Sequence, residues 1–185
     1  MRILGIDPGL AAGGYGVLDV DGGGVMAVRI CGIWESERAD GPNEARLGEI
    51  HRAVSALLDE YEPHAVVLEL PAGSKSAMAA AAMWGAYGTV MGLCRGRALL
   101  VQRRAGEWRE ILGLPKRPRG DAGEKLRKAD VRAAMQARFP GLGVLLPLVK
   151  HSHAYDALAL ACSWVDVAGG ARSAQPCPTT RRTRP

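Results

Sequence analysis

The spacing of apolar positions along the chain changes several times, and each change marks an element. Residues 2–7 and 14–20 are short runs rich in β-formers, and Asp21-Gly22-Gly23-Gly24 turns the chain into a third run at 25–33. The three predict an antiparallel meander. From Pro42 to Tyr61 the period lengthens: Leu47, Ile50, Val54, Leu57 and Leu58 recur at three- and four-residue steps. Such spacing lays one apolar stripe along a helix, and Pro63 ends it. Residues 65–69 then predict a short strand buried inside a mixed sheet. An Ala-rich helix over 76–94, a strand over 97–102 and a short helix over 105–112 follow, the last stopped by Gly113. Residues 113–123 predict a mobile basic loop. Helices are expected over 124–138, ended by Pro140, and over 152–168, ended by Gly169-Gly170. This order predicts an α/β domain over residues 1–168, a mixed sheet covered by helices. Residues 169–185 hold Pro, Ser, Thr and Arg with almost nothing apolar and predict a disordered basic tail.

Composition narrows the class. A chain of 185 residues that is 48% hydrophobic can bury one sizeable core, so a single folded domain is expected. The segment 76–94 is uncharged and contains Gly88-x-x-x-Gly92, and its length alone would span a membrane. It is built from Ala and Gly, however, so its gain on insertion is small, and it lies between two predicted strands. A helix packed on protein is the better account, and no membrane association is expected. Cys31, Cys94, Cys162 and Cys177 form no CxxC and no Cys/His cluster at zinc spacing, which fits a reducing cytoplasm. The opening residues predict a strand rather than a signal peptide.

Charge is uneven. Residues 1–94 hold 6 Lys/Arg against 12 Asp/Glu, residues 95–132 hold 12 against 5, and residues 169–185 add four Arg. An acidic half beside a basic segment suits an enzyme that gathers cations at one place and a polyanion at another. A solvated charged face would give the same count, so motifs must decide.

Three features place acids where a metal site needs them. Asp7 ends the first strand, before Pro8-Gly9 and close to Gly13-Gly14, whose small size lets backbone approach an ion or phosphate. Glu69 closes an apolar strand, where a carboxylate is costly unless a cation or hydrogen bonds hold it. His153 and Asp156 stand three apart at the start of the last helix, on one face. Singly, each has a structural explanation: a turn Asp, a surface Glu at a strand end, a first-turn acid favoured by the helix dipole. Together they are a set able to gather two divalent cations for phosphodiester hydrolysis. The oxygen ligands favour Mg²⁺, with Mn²⁺ as a substitute that the histidine tolerates.

Ile3-Leu4-Gly5-Ile6-Asp7-Pro8-Gly9-Leu10, followed by Gly14-Tyr15-Gly16-Val17, resembles the opening motif of the RuvC family of Holliday-junction resolvases. The family's second acid closes its fourth strand, matching Glu69. Its last motif, two site residues three apart followed by Ala-Leu-Ala, is similar to His153-Ala154-Tyr155-Asp156-Ala157-Leu158-Ala159. The resemblance covers about residues 1–168. It implies an RNase H-like fold, a mixed five-stranded sheet with helices on both faces. It also implies a homodimer and Mg²⁺-dependent paired nicking of four-way DNA junctions, a crossover junction endonuclease in recombination and repair, with Asp7, Glu69, His153 and Asp156 as catalytic and metal-binding residues. Lys128 matches a family lysine, and Lys125, Arg103 and Arg109 are further candidates for DNA binding. The dimer would pair through the helix at 76–94, with Gly85, Gly88 and Gly92 permitting close approach. Two departures stand out. The loop Leu70-Pro71-Ala72 lacks the aromatic that members stack on a junction base, and the insert at 113–123 looks like that of phage-type relatives. A branch-migration helicase partner is not specified by any of these residues.

Three other readings compete. Another RNase H-like nuclease, acting on flaps or RNA–DNA hybrids, shares the first-strand Asp but not the His-x-x-Asp-Ala-Leu-Ala ending. An actin-like nucleotide-binding fold would need a second, duplicated half for which 185 residues leave no room. A non-catalytic DNA-binding module would have no need of all four site residues.

Overall fold

The computed structural model describes residues 1–36, 43–73, 76–118, 120–146 and 152–169. Five strands form one sheet: β1 (Arg2–Asp7), β2 (Ala12–Val20), β3 (Met26–Glu35), β4 (Ala65–Glu69) and β5 (Leu99–Arg103). Their order is β3-β2-β1-β4-β5. The first three strands are the antiparallel meander, and β4 and β5 join in parallel. The sheet is therefore mixed, as the element order predicts.

Among the described residues six helices cover it: α1 (Asn43–Tyr61), α2 (Ala77–Cys94), α3 (Ala105–Ile111), α4 (Asp121–Arg138), α5 (Leu142–Leu145) and α6 (Ser152–Gly169). Strand alternation divides the core in two. Leu4, Ile6, Val66 and Leu68 point to one face and pack with Ile50, Val54 and Leu58 of α1 and Tyr87 and Val90 of α2. Ile3, Ala65 and Val67 point to the other and pack with α6, α4 and Trp108 of α3. By the same alternation Gly5 and Asp7, and Val67 and Glu69, belong to the α6 face.

Glycine decides how close α6 comes. A Cβ at Gly5 would run into the carbonyl of Ala157, and one at Gly14 into the carbonyl of His153. The helix thus lies directly on β1 and β2, with Ala154, Ala157 and Ala161 fully buried beneath it. Gly14 is a seat for helix backbone, and Gly13 a seat for the Trp34 ring. Their role is packing, which corrects the expectation that they admit an ion or phosphate.

Element boundaries differ from the sequence reading in a few places. β2 begins at Ala12, β3 runs on to Glu35, and β5 is Leu99–Arg103 rather than 97–102. α4 begins three residues early, at Asp121, because Asp121 and Glu124 suit the positive end of a helix. α5 was not expected; Phe139, Leu142 and Leu146 bury themselves around it. In α2, Gly85 faces Leu47 of α1 within the same chain, whereas a Cβ at Gly88 or Gly92 would meet open space. Gly85 therefore serves the internal α1–α2 contact, not an approach by a second molecule. Among the described residues α2 is the one helix long and apolar enough to cross a membrane by length and composition. Pro42, His151 and the tail from 170 onward lie outside the described residues, and with them the tail's predicted disorder.

Candidate active site

The β1–β4 register pairs Ile6 with Leu68, so Asp7 and Glu69 sit side by side at the ends of adjacent parallel strands. Their spacing is about one strand separation, near 4.8 Å. The first two turns of α6 cross above them and bring His153 and Asp156 to the same place. His153 Nδ1 lies 2.6 Å from Asp7 Oδ2, a hydrogen bond across 146 residues of sequence. All four sequence-predicted site residues are therefore brought together.

The electrostatics of this cluster are unfavourable as they stand. Burial, then the charges of Asp7 and Asp156, push the Glu69 carboxyl up to about 8. Asp156, 8% exposed, is raised to about 7 by burial and by Asp7. One of its oxygens, Oδ1, is buried without a hydrogen-bond partner. The histidine is raised chiefly by its bond to Asp7, with burial opposing. Three carboxylates held in one low-dielectric place, one with an unsatisfied oxygen, form a set whose missing complement is positive charge.

Two neighbours supply part of it. Trp108, fully buried in α3, donates its indole N–H to Glu69 Oε2 at 3.3 Å. Arg109 lies over the Trp108 ring, 4.6 Å from its centre, and brings a guanidinium nitrogen to 3.7 Å from Asp156 Oδ1. Trp108 escaped sequence reasoning: its apolar spacing looks like core, and nothing local says that its nitrogen meets a carboxylate.

The remaining candidates divide. Lys128 pairs with Glu124 at 3.4 Å one turn away, yet it still lowers the pKa of both His153 and Asp156, so it borders the site. Lys125 is exposed on α4. Arg103 stands beside Glu69 in the β4–β5 register, with its Nε buried and unpartnered. The charges acting on Glu69 are those of Asp7, Asp156 and Arg109.

The donor set fits a hard divalent cation by its chemistry: carboxylate oxygens, one imidazole and an unsatisfied buried oxygen. It is not closed around a common point, since among the described residues no three such side chains are arranged to hold an ion. The Asp7–His153 bond turns these two groups toward each other.

Comparison with known proteins bears on the same segments. A family model described as crossover junction endodeoxyribonuclease RuvC matches residues 3–98. A crossover junction endodeoxyribonuclease RuvC from Thermomicrobium roseum is 32% identical over 162 residues, 87% of this chain and 90% of that protein. One from Burkholderia mallei is 45% identical over 69 residues, 37% of each. Among solved structures, T. thermophilus RuvC in complex with a Holliday junction superposes with a TM-score of 0.67 at 21% identity, covering 94% of this chain and 99% of that one. The fowlpox virus Holliday junction resolvase gives 0.61 at 16% identity, over 90% and 99%. These structures share the RNase H-like architecture described above.

Proposed function

The chain belongs to the RuvC family of crossover junction endodeoxyribonucleases, and we propose that it resolves four-way DNA junctions by divalent-metal-dependent hydrolysis of phosphodiester bonds. The observation that carries this is the meeting of Asp7, Glu69, His153 and Asp156, from three separate segments, at one sheet end. The related T. thermophilus RuvC and fowlpox virus resolvase are both known in complex with a Holliday junction substrate.

Asp7, Glu69 and Asp156, with His153, would hold Mg²⁺, two ions per site, with Mn²⁺ as a substitute. Bound there, the metal supplies Lewis-acid stabilisation of the phosphate and lowers the pKa of water. The chain's own residues prepare that chemistry. Glu69 and Asp156 must lose protons that the metal-free pocket retains, so metal binding and proton release are linked. Trp108 fixes one Glu69 oxygen by its indole N–H. Arg109, already beside Asp156, and Lys128 at the border stand where phosphate charge would arrive. His153 can offer a ring nitrogen or carry a proton once its bond to Asp7 is exchanged.

A homodimer and a cytoplasmic location belong to the same reading. The first is supported by exposed apolar residues on α2, the second by the buried thiols of Cys94 and Cys162, which stand outside any disulfide among the described residues. The test is cleavage of four-way, flap and RNA–DNA hybrid substrates, with Mg²⁺ and with a chelator. Paired, metal-dependent nicks in the four-way substrate are expected. Cleavage of the hybrid alone would overturn the proposal.

A further inference from the structure

The basic segment after α3 is not free. Leu114 donates its N–H to the carbonyl of Arg109 at 2.9 Å and packs against the core. Arg117 makes two bonds to Asp130 of α4, each 2.8 Å. Arg127 of α4 donates to the Pro118 carbonyl at 2.8 Å. A Cβ at Gly123 would run into that same carbonyl, so α4 and the segment touch at backbone level. Residues 113–118 are a strap fastened at both ends, not the mobile loop that composition predicts.

Between the strap, α3 and α4 lies a groove of about 740 Å³. Arg104, Arg109, Lys116, Arg117 and Arg127 line it, against Glu107 and Glu110. Arg117 is committed to Asp130, and Glu107 accepts the Arg104 backbone N–H at 2.9 Å. The side chains of Arg104 and Lys116 remain directed to the groove, and at one end it reaches Arg109, the residue beside Asp156.

We propose that this groove binds the sugar–phosphate backbone of a duplex DNA arm adjoining the scissile phosphate, with Arg104 and Lys116 meeting phosphates and the Arg117–Asp130 and Arg127–Pro118 contacts holding the strap in place. The inference rests on the nuclease reading above and adds to it a site of contact. The groove is open to solvent, five cationic side chains line it against two acids, and one end reaches Arg109 beside Asp156. A backbone polyanion is the ligand of that chemistry.

The sharpest test uses Asp130. Asp130→Asn makes the protein more basic by one charge, so simple attraction predicts tighter binding to DNA. If the strap shapes the groove, the same change unfastens Arg117 and weakens binding. Fluorescence anisotropy with a labelled four-way junction in chelator, repeated over a range of salt, would decide. The expected result is about three- to tenfold weaker binding for Lys116→Ala, with the salt slope lowered by about one unit. Asp130→Asn should weaken binding as well. Equal or tighter binding by Asp130→Asn, or an unchanged slope for Lys116→Ala, overturns the inference. Should Asp130→Asn fail to fold by circular dichroism, Lys116→Ala, an exposed change, decides alone. Wild-type protein that neither binds nor cuts the junction would instead overturn the nuclease reading itself.

Discussion

At the scale of single residues, the site holds charge that destabilises the metal-free protein. Glu69 is raised from an ordinary carboxylate value to about 8 in the folded state, so the fold binds a proton that the unfolded chain releases. The Glu69 contribution to stability is then fully present below about pH 4.5 and is lost as pH rises through about 8. Glu69→Gln should stabilise the chelated protein at pH 8 by on the order of 1–3 kcal/mol while abolishing cleavage. Thermal melts of both proteins at pH 5 and pH 8 check this; a variant no more stable at pH 8 would contradict it. His153 makes the acid side of activity steep. Its bond to Asp7 favours the imidazolium, so neutral nitrogen is lost, as pH falls, at a higher pH than for a free histidine. Activity should drop on acidification, and added Mg²⁺ should move the drop to lower pH because metal and protons compete. His153→Asp should retain activity with the decline at lower pH, whereas His153→Ala should lose most of it. A pH profile indifferent to metal concentration would count against direct ligation. Trp108→Phe, which keeps an aromatic ring but removes the indole N–H, should cost about tenfold in kcat and weaken Mn²⁺ binding measured by calorimetry.

At the scale of elements, the seating of α6 on the sheet sets the site geometry. Gly5 and Gly14 stand against helix backbone, which cannot retract as a side-chain end can. Gly14→Ala should therefore destabilise the fold by about 1–3 kcal/mol and displace His153 from Asp7. Activity lost beyond the fraction unfolded, measured well below the melting temperature, would show the displacement. The elements also show what is legible in sequence. β1, β4, α1 and α6 follow from clear patterns, and the four candidate residues stand at the ends of β1 and β4 and the start of α6. Trp108 and the strap do not, because the first depends on an indole meeting Glu69 across 39 residues and the second on Arg117 reaching Asp130 in the next helix. Local composition sees a core aromatic and a run of cations. The early start of α4 has a related cause: Gly120 and Gly123 suggest loop, and docking on Pro118 adds to the favourable placing of Asp121 and Glu124 at the positive end of the helix.

At the scale of the whole molecule, one face is unaccounted for by the monomer. Met78, Trp84 and Met91 of α2 and Leu99 of the edge strand β5 are all exposed, at 83%, 51%, 39% and 59%. Trp84 rests edge-on against Tyr87, 5.4 Å between ring centres. Large apolar side chains grouped on one helix and the adjoining sheet edge are costly in water, and a two-fold pairing of copies would cover them. The groove and the catalytic acids lie on the α6 side of the sheet, opposite the α1–α2 layer. Pairing through α2 would thus leave each active site open to DNA. Trp84→Glu should give a folded monomer in sedimentation at about 10 µM, where wild type should sediment as a dimer; this concentration is above the range in which most stable homodimers dissociate. The variant should still nick a four-way junction, since no residue of the site is touched, but its nicks should fall on single strands without their partners. A wild-type protein that sediments as a monomer and still cuts in pairs would leave the exposed face without this role.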